Sequence, residues 1–159
     1  MAEENTSWCQ SVGGVVLREG CVLLARHTYG AGKGRLIIPG GYVRQGESPE
    51  DALRREFYEE TGVRVEPRGI LGVRFNAKDW YVVFAADYAA GEARSDQDEN
   101  DLVVWMPVRQ ALSSPDVPDL SKRLIARAAQ GAYLLMPAQY DSIQGNPGHL
   151  YAAQTEESL

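Results

Sequence analysis

The chain has 159 residues, 44% of them hydrophobic, with 22 acidic residues against 16 Lys and Arg for a net charge of −6. That length suits one domain with a real core. The acidic balance argues against non-specific binding to duplex nucleic acid, which runs on phosphate neutralisation, yet admits a small phosphorylated ligand that arrives with a metal. No apolar run nears the length of a membrane span, and the opening "MAEENTSWCQ" lacks the basic-then-apolar pattern of a secretion signal. A soluble, cytoplasmic protein that does not engage membranes is the expectation. Cys9 and Cys21 are the only cysteines and form no CxxC, so both are expected as buried, reduced thiols.

In chain order, "CQSVGGVVL" and "CVLLARH" predict two strands, Cys9 to Leu17 and Cys21 to His27, joined by a tight turn at Arg18-Glu19-Gly20. "TYGAGKG" reads as a loop, "RLIIP" as a short buried strand, and the stretch around Gly40, Gly41 and Gly46 as a second loop. A helix is well marked from Pro49 to Thr61: Ser48 is a natural N-cap, Pro49 suits the first position, Glu50 and Asp51 favour the positive end, and Gly62 can close it. "VRVEPRGILGVRF", "WYVVFAADY" and "DLVVWMP" predict strands, separated by the acidic loop "AAGEARSDQDEN". "VRQALSS" fits a helical turn and "DLSKRLIARAAQ" an amphipathic helix ending at Gly131. The order of elements implies an α/β fold with helices packed on a mixed sheet. Residues 1–131 form the expected domain. Residues 132–159 have no clear period and are expected as an extension, packed around Tyr133 to Met136 on the domain or on a second subunit.

Glu56, Glu59 and Glu60 fall on one side of the predicted helix, one turn apart. Like charges so placed repel, so a cation is expected against that face. Hard carboxylate oxygens suit Mg²⁺ or Mn²⁺ and not zinc, and Mg²⁺ completes its shell with water and phosphate oxygens. Ala52, one turn back, leaves room above the carboxylates, while Leu53 and Phe57 can anchor the helix to a sheet.

The stretch "GYVRQGESPEDALRREFYEETGV" resembles the Nudix box, G-x5-E-x7-R-E-U-x-E-E-x-G-U with U a bulky apolar residue. Gly41, Glu47, Arg55, Glu56, Glu59, Glu60 and Gly62 occupy all seven fixed positions and Val63 the last apolar one. At typical residue frequencies of roughly 5–8%, seven such matches arise by chance on the order of once in 10⁸ starting points. Phe57 stands where the family usually has an aliphatic residue, and Leu36 where many relatives have a Trp three residues before Pro-Gly-Gly.

The resemblance implies a Nudix-type α/β/α sandwich with a mixed central β-sheet over roughly Trp8 to Gly131. It implies Mg²⁺, with Mn²⁺ as a substitute, on Glu56, Glu59 and Glu60, with Arg55 paired to Glu47 to hold the loop against the helix. "DENDLVVW" is similar to the acidic loop that precedes a Trp-bearing strand in relatives. That similarity makes Glu99 the candidate base or extra ligand and Asp98 its rival. The implied reaction is hydrolysis of a diphosphate bond in a nucleoside diphosphate linked to another group, catalysed with Glu56, Glu59, Glu99, Arg55 and Glu47. Arg26, Lys33 and Arg35 are candidate phosphate contacts, with Gly40, Gly41 and Tyr81 also on the substrate. Tyr29, Phe75 and Trp80 can stack on a base. No proline lies about 15 residues beyond the box, where ADP-ribose enzymes tend to have one. Tyr81 lies about where enzymes acting on diadenosine polyphosphates tend to carry a tyrosine. The partner implied is a small nucleotide, and homodimers are common among relatives. Two other classes share the fold. Isopentenyl diphosphate isomerases use a catalytic Cys, and sensing modules without turnover often lose the box glutamates that this chain retains.

Overall fold

The computed structural model describes residues 9–131, 135–143, 145 and 148–154. Trp8 and Tyr133, named above, lie outside the described residues. The first two strands, β1 (Cys9–Arg18) and β2 (Cys21–His27), are joined by Glu19 and Gly20, both at positive φ, as a two-residue hairpin turn requires. β3 (Leu36–Ile37) and β4 (Gly40–Tyr42) precede the helix α1 (Pro49–Thr61). The long pair β5 (Arg64–Phe75) and β6 (Asp79–Ala90) follows, then β7 (Asn100–Pro107), α2 (Val108–Ser113) and α3 (Asp119–Ala129). Two short strands, β8 (Met136–Ala138) and β9 (Leu150–Ala152), pair with each other.

Seven strands form one mixed sheet, ordered β3-β2-β1-β6-β5, with β4 on β1 and β7 on β2. β1 and β6 run parallel and the other pairs antiparallel. Alternation along the strands sends neighbours to opposite faces. Val15, Leu71 and Val83 pack with Leu124, Ile125 and Ala128 of α3, while Val12, Val16 and Phe84 pack with Ala52, Leu53 and Phe57 of α1. The result is a helix layer on each face of the sheet, the predicted α/β/α sandwich.

α1 forms where the capping residues predicted it. The Ser48 side chain accepts from the Asp51 backbone N–H, and Gly62, at φ 72°, closes the last turn by donating to the Tyr58 carbonyl. Phe57 is fully buried, and its ring fills the space above Gly14 that a side chain there would need. A bulkier apolar residue is thereby accommodated on this helix.

Three expectations change. Gly40 and Gly41 belong to a strand, not a loop, and neither has positive φ. A side chain at Gly40 would strike the Val12 carbonyl, so glycine lets β4 lie against β1. Ala52 is sealed in the core and does not open space over the carboxylates. Cys9 and Cys21 are in no disulfide but are only half-buried, at opposite ends of the β1–β2 hairpin. The tail also contributes to the sheet side: Leu135 exchanges both backbone hydrogen bonds with Ile70, and Tyr151 packs edge-to-face on Phe84. No helix among the described residues is long and apolar enough to cross a membrane.

Candidate active site

The last two turns of α1 carry Glu56, Glu59 and Glu60 toward the helix's negative end, with no basic residue in the last turn. Carboxylates there are unfavourable for the helix dipole as well as for each other. Glu56 fits because Gly41 has no side chain; a Cβ at that position would sit on its carboxylate. Glu60 is buried, 4% exposed, and accepts a hydrogen bond from the Gly40 backbone N–H.

Glu99 reaches the same place from the loop before β7. Oxygens of Glu56, Glu60 and Glu99 lie within 4.8 Å of one another. Glu99 is held through its backbone, whose carbonyl accepts from the Thr28 N–H at 3.1 Å and the Thr28 hydroxyl at 3.1 Å. The next residue, Asn100, is buried and donates to the Glu60 carbonyl at 2.9 Å, which ties the acidic loop to the end of α1. Asp98 lies outside this carboxylate group.

Glu59 does not join the group. It is half exposed and meets Arg55 Nη1 at 3.3 Å. Arg55 is the organiser of this corner. Its Nε and Nη2 fork onto both oxygens of Glu47 at 2.7 and 2.9 Å, Nη1 donates to Glu56 at 2.7 Å, and Nη2 also donates to the Tyr42 carbonyl. The fork holds the Glu47 carboxyl down at about 2.

The three grouped carboxyls are shifted the other way. Burial, then the charges of Glu56 and Glu99, push Glu60 up to about 8 against the pull of the Gly40 N–H. Burial also raises Glu56, assisted by Glu59 and Glu99 and opposed by Arg55. Burial raises Glu99, helped by Asp96, Asp98 and Glu59. Glu60 Oε2 is buried without a partner among the described residues. An oxygen-only donor set with one orphaned buried oxygen fits a hard divalent cation. Glu56, Glu60 and Glu99 are the residues that would hold it.

The group opens on a cleft of about 540 Å³ that Gly40, Gly41 and Tyr81 also line. Arg26, Lys33 and Arg35 do not line it. Arg26 pairs with Asp101 at 2.7 Å, Arg35 donates to the carbonyls of Asp116 and Pro115, and Lys33 is exposed. Among the described residues, the Arg or Lys that lines the cleft is Arg74, clamped by Asp79. Neither residue stands out in the sequence, because Arg and Asp near a strand end are ordinary surface residues. Asn100 was likewise hidden among polar neighbours. Of the aromatics, Tyr29 lines the cleft and stacks on His27 at 6.0 Å, whereas Phe75 and Trp80 pack on each other elsewhere.

The family model of the NUDIX domain matches residues 8–128. The chain belongs to the Nudix family. It is 35% identical over 121 residues to an NAD-capped RNA hydrolase NudC of Actinobacillus succinogenes, covering 69% of this chain and 43% of that protein. It is 32% identical over 95 residues to an ADP-ribose pyrophosphatase of Methanocaldococcus jannaschii, covering 55% of this chain and 56% of the other. The chain thus spans about half the length of the curated relatives it matches. A MutT Nudix hydrolase structure from Burkholderia pseudomallei superposes with TM-score 0.62 at 25% identity, over 74% of this chain and 95% of that one. A Nudix hydrolase from Nitrosomonas europaea shares the fold at TM-score 0.69 and 21% identity, over 80% and 76% of the two chains. Nudix membership and fold, both anticipated from the box, are thereby established.

Proposed function

We propose that this Nudix domain is a divalent-metal-dependent pyrophosphohydrolase acting on a nucleoside diphosphate derivative, with Mg²⁺ as the working ion. The observation that carries the reading is the convergence of Glu56, Glu60 and Glu99 from two chain segments, with an unpartnered buried oxygen, at the mouth of a nucleotide-sized cleft. A bound Mg²⁺ would neutralise phosphate charge and make water more acidic.

The chain's own residues supply the rest. Arg55 fixes Glu56 and, through Glu47, the β4–α1 loop, so the carboxylates hold their places without substrate. Glu99 is the most exposed of the three and faces the cleft; with one oxygen given to the ion, its other oxygen would be the one to take the proton of an attacking water. The water oxygen bonds to one phosphorus, the bridging P–O bond breaks, and the proton goes to the Glu99 carboxylate. Glu59, on Arg55, acts by holding that guanidinium in position. The names of the relatives support substrates built on a nucleoside diphosphate, including a cap on RNA.

The test is a panel of ADP-ribose, dinucleoside polyphosphates, sugar nucleotides, NAD and nucleoside triphosphates, incubated with Mg²⁺ or chelator. Metal-dependent cleavage by the wild type, lost in Glu60→Gln and Glu99→Gln, is the expected result. Tight binding across the panel without cleavage would instead make the domain a sensing module.

A further inference from the structure

The cleft that the carboxylates line is also lined by a second polar cluster, which the hydrolytic reading leaves unused. It comprises Ser11 of β1, Arg74 of β5, and Asp79 and Tyr81 of β6. The cluster is built. Arg74 Nη2 meets both Asp79 oxygens at 2.8 Å, and the Ser11 hydroxyl donates to Asp79 Oδ2 at 3.0 Å. The guanidinium also lies 5.4 Å from the Tyr81 ring centroid. Tyr81 is seated over Gly13, where a side chain would strike its hydroxyl.

We propose that this cluster is a base-recognition subsite that takes a nucleobase by the carbonyl at purine C6 or pyrimidine C4, a keto base in preference to an amino base. The proposal rests on the reading above, which places a diphosphate at the carboxylates. Three features select the ligand. First, the Arg74 charge is already neutralised by Asp79, so the subsite is a poor receptor for a second phosphate and a good one for a neutral polar group. Second, both Asp79 contacts run through Nη2, which leaves Nη1 without a hydrogen-bond partner among the described residues, on a side chain 39% exposed. Asp79 meanwhile already accepts three hydrogen bonds. The cluster is therefore a net donor, and a carbonyl oxygen satisfies it, whereas an amino group would set donor against donor. Third, Ile38, Pro118 and Leu120 also line the cleft and give it apolar surface, which suits a flat ring.

The experiment is calorimetric titration of guanosine, uridine, adenosine and cytidine, in chelator, into the wild type, Arg74→Met and Arg74→Lys. Working without metal separates base recognition from turnover. The wild type is expected to bind the keto pair about tenfold more tightly than the amino pair, as one good directional contact allows. Arg74→Met should abolish that preference. Arg74→Lys keeps a charge beside Asp79, and so the fold, but loses the planar fork, and should reduce the preference severalfold. A larger response to guanosine than to uridine, or the reverse, tells which keto base fits, and either order supports the proposal. Equal binding of all four, no binding of any by folded protein, or an unchanged preference in both variants would overturn it. If keto preference persists but no substrate in the panel is cleaved, the subsite stands and the hydrolase reading falls.

Discussion

Two buried glutamates on one helix meet opposite fates. Glu50, in the first turn of α1, is buried, yet its own backbone N–H, the Tyr151 hydroxyl at 2.9 Å and His149 Nδ1 at 2.8 Å outweigh that burial and hold its carboxyl below the usual range. Glu60, in the last turn, is equally buried but faces Glu56 and Glu99 and is pushed up to about 8. The helix dipole aids the first and opposes the second. Each keeps one buried oxygen without a hydrogen-bond partner among the described residues, but Glu50 Oε1 is held by Tyr151 and His149, whereas Glu60 faces two further carboxylates. Burial by itself therefore does not mark a functional carboxylate. The company the group keeps does.

Substitutions at the Glu60 end should have the largest effect. Glu60→Gln and Glu56→Gln should each lower kcat by more than the roughly 100-fold that loss of a supporting partner costs. Glu60→Gln should at the same time raise the Tm of metal-free protein at pH 8, because it removes a buried charge. A lower Tm in that variant would mean Glu60 is satisfied without metal.

Arg55→Met comes next, with an expected loss of roughly 10–100-fold in kcat/KM, since Glu47, Glu56 and Glu59 all lose their shared partner. Arg55→Lys should recover only part of it, because an ammonium cannot fork onto Glu47.

A pH series of thermal melts sharpens the contrast between the helix ends. Glu60 has a folded pKa of about 8 against an ordinary 4.5, so the folded chain holds a proton that the unfolded chain releases. Its contribution is fully present below about pH 4.5 and is lost as the pH rises to about 8, on the order of a few kcal/mol. Mg²⁺ should restore that loss. Glu50 works with the opposite sign: its stabilisation is present above the ordinary carboxylate range and is lost as the pH falls through its lowered folded pKa. Tyr151→Phe should cost about 1 kcal/mol of stability through Glu50 and leave kcat unchanged.

The smallest effect is expected at the loop cations. Lys33→Ala and Arg26→Ala should change kcat/KM by less than about twofold, since neither side chain lines the cleft.

α1 was legible because its determinants are local: caps at Ser48 and Gly62, apolar anchors at Leu53 and Phe57, and carboxylates at helical spacing. The Nudix box added the Arg55–Glu47 pairing, and the pattern ahead of Trp105 pointed to Glu99. What was illegible depends on segments distant in sequence. Charge in the "ARHTYGAGKGRL" loop looked like a phosphate site, but Arg26 and Arg35 are drawn off by Asp101 and by carbonyls near residue 115. Arg74 and Asp79 acquire meaning only when β6 pairs with β1 and sets them beside Ser11. Glu59 looked equivalent to its neighbours, yet the step of about 100° between it and Glu60 leaves it half exposed on Arg55. The tail's hairpin is invisible to periodicity because its anchors, Ile70, Phe84 and Glu50, lie far back in the chain.

The most direct measurement is calorimetric titration of Mg²⁺ and Mn²⁺ into wild type and Glu60→Gln at pH 8. Saturable binding to the wild type, weakened at least tenfold by the substitution, is the expected result. Equal affinity in the two proteins, or no binding to either, would contradict a metal centre built on Glu56, Glu60 and Glu99.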